Sequence, residues 1–172
     1  VKNLSGGSDH AALLYSCLFY TCGLVSVFVS GQSSDRSGDR KWHCVAGQVA
    51  TAVFLAVSSI PGQPFALVMV WLCLTALAAY FWPSPFWTLP TLTLNASAAA
   101  VSIGLINMCA NFAGYLGNHT TGWLRGHGFG ESVCLLFFAA CYLLGGLLVS
   151  RLRVSQNPAP ALGVTRHEEA TK

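Results

Sequence analysis

Two carboxamides, Asn107 and Asn111, lie four residues apart inside the otherwise apolar run AAAVSIGLINMCANFAGYLG. On a helix, Gly104, Asn107, Asn111, Gly114 and Asn118 recur at intervals of three and four, which gathers them on one face. An amide at membrane depth is costly unless partnered, so this face should meet other helices or a wet cavity. Simple helix-to-helix packing is the plainer reading of the same stripe, and both stay open. Just upstream, Pro83, Pro85 and Pro90 stand among Trp82, Phe86 and Trp87. Each proline lacks a backbone donor and collides with the preceding turn, so the helix must kink or break. A break leaves unpaired N–H groups at the start of its second half, expected at Phe86 to Thr88. There a helix dipole favours an anion by about 0.3 to 1 kcal/mol, and more when water is excluded. Asn107 could donate to the same anion from across a cavity, and Trp87 could supply a flat wall for an aromatic or sugar face.

The elements that would position these residues are membrane spans. Of the 172 residues, 53% are hydrophobic and 9% charged, whereas soluble domains carry about 25% charged residues. A spanning helix needs about 20 apolar residues, and five stretches qualify: 11–30, 44–61, 65–94 with its break near 83–85, 98–117 and 131–150. The fold expected is therefore an all-α membrane protein of five transmembrane helices. Residues 1–10 read as an external loop, 118–131 as a Gly-rich external loop, and 151–172 as a polar cytoplasmic tail without fixed structure. The last span is evenly apolar and should face lipid.

Composition excludes other classes. A net charge of +3 provides no basic stripe for nucleic acid. The seven cysteines form no CxxC pair, so neither a disulfide framework nor a metal site is indicated. The five histidines sit in loops or at ends without a nucleophile at site spacing, which argues against an enzyme, and no cofactor is called for. All six acidic residues also fall outside the spans, so a proton-coupling group is not found within them.

Charge clusters in GQSSDRSGDRKWH, residues 31–43, expected to be a loop whose glycines permit a tight turn. A solvated basic loop is one reading. Seven of the nine Lys and Arg residues fall in this loop or the tail, leaving Lys2 and Arg125 on the other side. The positive-inside rule then puts the loop and the C-terminus in the cytoplasm and the N-terminus outside.

The same loop resembles the signature loop of the major facilitator superfamily, G-x-x-x-D-R-x-G-x-R-[RK], in Gly31, Asp35, Arg36, Gly38, Arg40 and Lys41. With PFWTLP, the Leu-Ile-Asn helix that follows and GWLRGHG before the last span, the pattern from Asp35 to Arg153 is similar to the C-terminal half of an anion:cation symporter of that superfamily. The resemblance implies that the spans are the last five of twelve helices, with the first seven in a missing N-terminal half. It further implies an inner-membrane permease moving a small organic anion, a sugar acid or aromatic carboxylate, by proton symport. It makes Ser84, Trp87 and Asn107 cavity-lining substrate contacts. Phe86 and Asn111 join them on helix geometry alone. It gives Asp35, with Gly31, Arg36, Gly38 and Arg40, a gating role at the cavity mouth. The sequence departs from the family pattern between Leu94 and Ala98, where no basic residue occurs. A non-transporting membrane subunit and an inactive truncated product are the alternatives, because alternating access needs two halves.

Overall fold

A computed structural model describes residues 9–152. Over that range the chain forms α1 (Asp9–Ser37), α2 (Arg40–Ser58), α3 (Phe65–Ala79), α4 (Pro83–Phe86), α5 (Leu89–Thr93), α6 (Ala96–Gly126) and α7 (Glu131–Arg151). The expected outer loop and tail fall mostly outside the described residues; Asp9 and His10 already belong to α1, and Arg151 closes α7. Four stretches are long and apolar enough to cross a membrane: Leu13–Ser37, Phe65–Thr93, Ala96–Gly126 and Glu131–Arg151. The stretch expected at 44–61 forms the 19-residue α2, which opens on Arg40, Lys41, Trp42 and His43 and is not among those four.

Two expected loops are largely helix. Residues 31–37 continue α1, and α2 restarts at Arg40, so only Gly38 and Asp39 turn the chain. Gly38 adopts φ +68°, and its N–H bonds the Ser34 carbonyl at 3.0 Å, a left-handed helix cap. Asp39 accepts from the Trp42 N–H at 3.2 Å and starts α2. Gly31, Asp35 and Arg36 are thus helical residues, and Arg40 opens the next helix. Likewise α6 runs on to Gly126 rather than ending near Gly117. It closes at Gly128, φ +81°, where the Phe129 N–H reaches the Leu124 carbonyl and the Gly128 N–H reaches Arg125, both at 3.1 Å. Polar side chains suited to water mark where a helix leaves lipid, and the backbone ladder continues past that point. The helix α2 ends at Ser58, short of the expected 61, and α6 begins at Ala96, two residues before the expected start, with Asn95 accepting from the Ala98 N–H at 2.9 Å.

The prolines do break the third span, into α3, α4 and α5. Tyr80 to Trp82 and Trp87 to Thr88 separate the pieces. The backbone stays close to helical at both joints: Trp82 has φ −78° and ψ −27°, Trp87 φ −66° and ψ −14°. The result is a bent rod rather than an unwound segment.

Two docked pairs carry the packing. The first sets α2 between α7 and α3. Gln48 lies so close to α7 that a Cβ on Gly145 would stand 2.6 Å from its Oε1, and Gly146 is buried beside it. The expectation that α7 only faces lipid is therefore corrected. Its Cys134, Ala139, Gly146 and Val149 are buried, while Leu143, Leu144, Leu147 and Leu148 are exposed. The second sets α1 against α3 and α4 through Gly23, Ser26, Ser30 and Ser34, all buried at helical spacing. By contrast α6 touches mainly α5 and α7 and is exposed along most of its length, including Val101, Leu105, Met108, Phe112 and Tyr115.

Candidate functional site

The break is held by hydroxyls from α1. Pro85 has no N–H to give the Phe81 carbonyl four residues back, which would leave that oxygen orphaned at membrane depth. Ser30 Oγ donates to it. One turn earlier the Phe81 N–H has swung to the Ala78 carbonyl at 3.2 Å, freeing the Leu77 carbonyl. Ser26 Oγ donates there. From the other side Gly47 lets α2 approach so closely that a Cβ would lie 3.0 Å from Trp82 Cβ and 3.1 Å from its N. The Cys44 thiol points at the Trp82 carbonyl at 3.6 Å. Small residues on two neighbouring helices thus clamp the bend.

Around this clamp the expected site residues separate into three groups. Ser84 meets α1: its Oγ would be 3.2 Å from a Cβ on Gly31, which joins a substrate candidate to a gating candidate. Phe86 packs on the apolar cluster of Cys44, Leu89 and Val149. Trp87, 39% exposed, stacks edge-on to Phe86 at 5.6 Å between ring centroids. On α6, Asn111 Nδ2 donates to the Asn107 carbonyl at 2.8 Å and lies 3.3 Å from its side-chain oxygen. Both amides are exposed, as are Gly104, Gly114 and Asn118 on the same face. One expectation fails: the N–H groups of Phe86, Trp87 and Thr88 are not free. They donate to the carbonyls of Trp82 and Pro83, at 3.2 Å, and of Pro85, at 3.3 Å. Because the bend keeps near-helical dihedrals, no backbone anion cradle opens at Phe86 to Thr88.

At the Gly38 turn, Asp35 pairs with Arg40 at 3.2 Å, their side chains 69% and 25% exposed. It is Asp39, and not Asp35, that caps α2. An exposed pair of this kind contributes about 0 to 1 kcal/mol. His43 ties the turn to the bend. Its Nε2 lies 3.0 Å from Ser33 Oγ, its Nδ1 is 2.5 Å from the Asp39 carbonyl, and its ring stacks on Phe81 at 5.7 Å. Lys41 Nζ donates to the Leu152 carbonyl at 2.8 Å, so the Gly38 turn and the end of α7 share one end of the bundle. Arg125 and Glu131 pair at 2.7 Å at the α6–α7 turn.

Sequence reasoning missed Ser26, Ser30, His43 and Gln48. Serines in an apolar helix read as small packing residues, and their spacing of four was the available signal. Among the described residues no group of three or more His, Cys, Asp or Glu comes together to hold a metal.

No family model and no solved structure matches the chain. It is 32% identical over 154 residues to a quinolone resistance transporter of Acinetobacter baumannii, covering 87% of this chain and 34% of that protein. It is 33% identical over 116 residues to a protein provisionally named a tartrate transporter in Agrobacterium vitis, covering 67% and 25%. It is 29% identical over 150 residues to a protein provisionally named the metabolite transport protein NicT in Pseudomonas putida, covering 86% and 34%. The chain spans about a third or less of the length of these curated relatives. With four helices apolar enough to cross a bilayer, it is a multi-pass membrane protein similar to the part of transporters that it covers.

Proposed function

We propose that this chain is the C-terminal portion of a secondary active transporter of the major facilitator superfamily, in the anion:cation symporter family, moving small organic anions with protons. The observation that supports it best is the pairing of a clamped, proline-bent span with a neighbouring helix whose amide face is left bare. Counted along the helices from the Leu94–Asn95 turn at about 1.5 Å per residue, Ser84 lies roughly 15 Å away and Asn107 roughly 18 Å away, so the bend and the amides sit at similar depth. In this reading Asn107 and Asn111 donate to the anion, Ser84 hydrogen-bonds it and Trp87 covers it. Phe86 holds Trp87 in place from its apolar cluster. The helix α2 crosses the bilayer as the fifth span, sheltered by α3 and α7. The exposed length of α6 packs against a seven-helix N-terminal half that carries the proton-coupling group and completes alternating access. Asp35 and Arg40, with Gly31, Arg36 and Gly38, form one side of a gate on the cytoplasmic face of the inner membrane, and the N-terminus lies outside.

The test is uptake of labelled tartrate and aromatic carboxylates by vesicles containing the chain together with that N-terminal half. Losing a hydrogen bond to a charged group should reduce uptake about tenfold or more for Asn107→Ala, with membrane insertion unchanged. Trp87→Ala should behave similarly. Normal uptake in both variants refutes the site. Insertion and helix association with no uptake of any anion would favour a membrane subunit that uses the same amide stripe only for packing.

A further inference from the structure

One face of α1 carries a groove that shares only Arg36 with the transport reading. In its apolar part, Val25, Val29, Ala50, Phe54 and Leu74 line a crevice of about 360 Å³ between α1, α2 and α3. Val29 is also the first wall of a second hollow of about 460 Å³, lined further by Gln32, Ser33, Arg36 and Ser37. The two hollows share Val29, and residues 25, 29, 32, 33 and 36 recur on one face of α1. Their character changes from mainly apolar to polar and cationic over about three turns.

We propose that this groove binds one anionic phospholipid, with an acyl chain in the crevice and the phosphate at Arg36. The charge around the polar end supports that occupant. Asp35 is engaged with Arg40 and Asp39 with the start of α2, while Lys41 is turned to the Leu152 carbonyl. The Arg36 guanidinium is left without a partner among the described residues. Beside it Gln32 offers an amide to phosphate and glycerol oxygens, while the Ser33 hydroxyl is bonded to His43 and the Ser37 hydroxyl to the Ser34 carbonyl and the Asp39 N–H. Trp42, 57% exposed at the same end of the bundle, is the amphipathic ring expected at the level of headgroups. An apolar crevice open to a bilayer exchanges its missing contacts for those of a lipid chain, and a basic side chain at the membrane surface attracts anionic headgroups. A soluble anion would fill the polar hollow and leave the crevice empty; a phospholipid matches both.

The inference needs only membrane insertion, so it can fail or succeed independently of uptake. The full chain is purified from vesicles containing equal phosphatidylglycerol and phosphatidylcholine with identical acyl chains, and the lipid retained per chain is counted by native mass spectrometry. Phosphatidylglycerol should be retained in preference, and Arg36→Gln should lower that retention about fivefold. Arg125→Gln, at the α6–α7 turn, should leave it unchanged. Ala50→Phe, which fills the crevice, should lower retention of both lipids. Should that variant misfold, Arg36→Gln decides alone, because the residue is exposed and its loss leaves the helix packing intact. Equal retention of the two lipids by the parent chain, or unaltered retention in Arg36→Gln, overturns the proposal.

Discussion

Replacing Ser30 by Ala removes one oxygen and leaves the Phe81 carbonyl with nothing to accept from, since Pro85 has no N–H. A buried unsatisfied acceptor costs about 1 to 3 kcal/mol, whereas hydrogen bonds between helices within membranes average about 0.6 and reach about 1.7 kcal/mol. The site has no competing donor, so the cost should lie near the top of the membrane range, about 1 to 1.5 kcal/mol. The proline supplies its own control. Pro85→Ala restores an N–H at a position where the next one, on Phe86, already reaches its carbonyl four residues back at 3.2 Å. In that background Ser30→Ala should cost only a few tenths of a kcal/mol, giving a coupling of about 1 kcal/mol across the double-mutant cycle. Ser26→Ala should cost less than Ser30→Ala in the parent, because the Phe81 N–H can swing back to Leu77. The assay is reversible unfolding in mixed micelles titrated with a denaturing detergent and followed by helical circular dichroism. If Ser30→Ala costs the same in the parent chain as in the Pro85→Ala background, the serine does not serve the orphaned carbonyl and the reasoning about the clamp is wrong.

Two further outcomes follow from the packing. Gly47→Ala would place a methyl about 3 Å from Trp82, against backbone as well as side chain, so it should destabilise the chain by about 1 to 3 kcal/mol in the same titration, whereas Ala46→Gly, on a more exposed face, should cost about 1 kcal/mol or less. Gly38→Ala, at φ +68°, should cost about 1 to 2 kcal/mol, with Gly38→Asn milder because Asn tolerates the left-handed region.

How much of this was legible depends on which physics wrote each signal. The bend was readable because proline chemistry is local: Pro83, Pro85 and Pro90 act on their own backbone wherever they sit. Helix ends at Ser37 and Gly126 were not, since Asp35, Arg36, Asn118 and His119 report the water boundary while the backbone ladder ignores it. The third source of error was partnership. Ser30 and Gln48 gain their meaning from Phe81 and from Gly145, fifty and nearly a hundred residues away, and no window along the sequence contains both members. At the candidate site the shared face of Asn107 and Asn111 on α6 was readable from their spacing of four, and the crowding of Trp82, Phe86 and Trp87 at the bend from their places among the prolines. The supposed free N–H groups at Phe86 to Thr88 were lost because proline can bend a helix without unwinding it.

The claim that everything rests on is that the amide face of α6 borders a water-filled, anion-binding cavity instead of lipid or a dry helix contact. In a cysteine-free background with the N-terminal half present, Asn107→Cys is exposed to a membrane-impermeant thiol reagent, with and without a transported carboxylate. The account predicts labelling from the aqueous phase that the carboxylate slows in proportion to its occupancy. Labelling only by a lipid-soluble reagent, at a rate indifferent to the carboxylate, would contradict it.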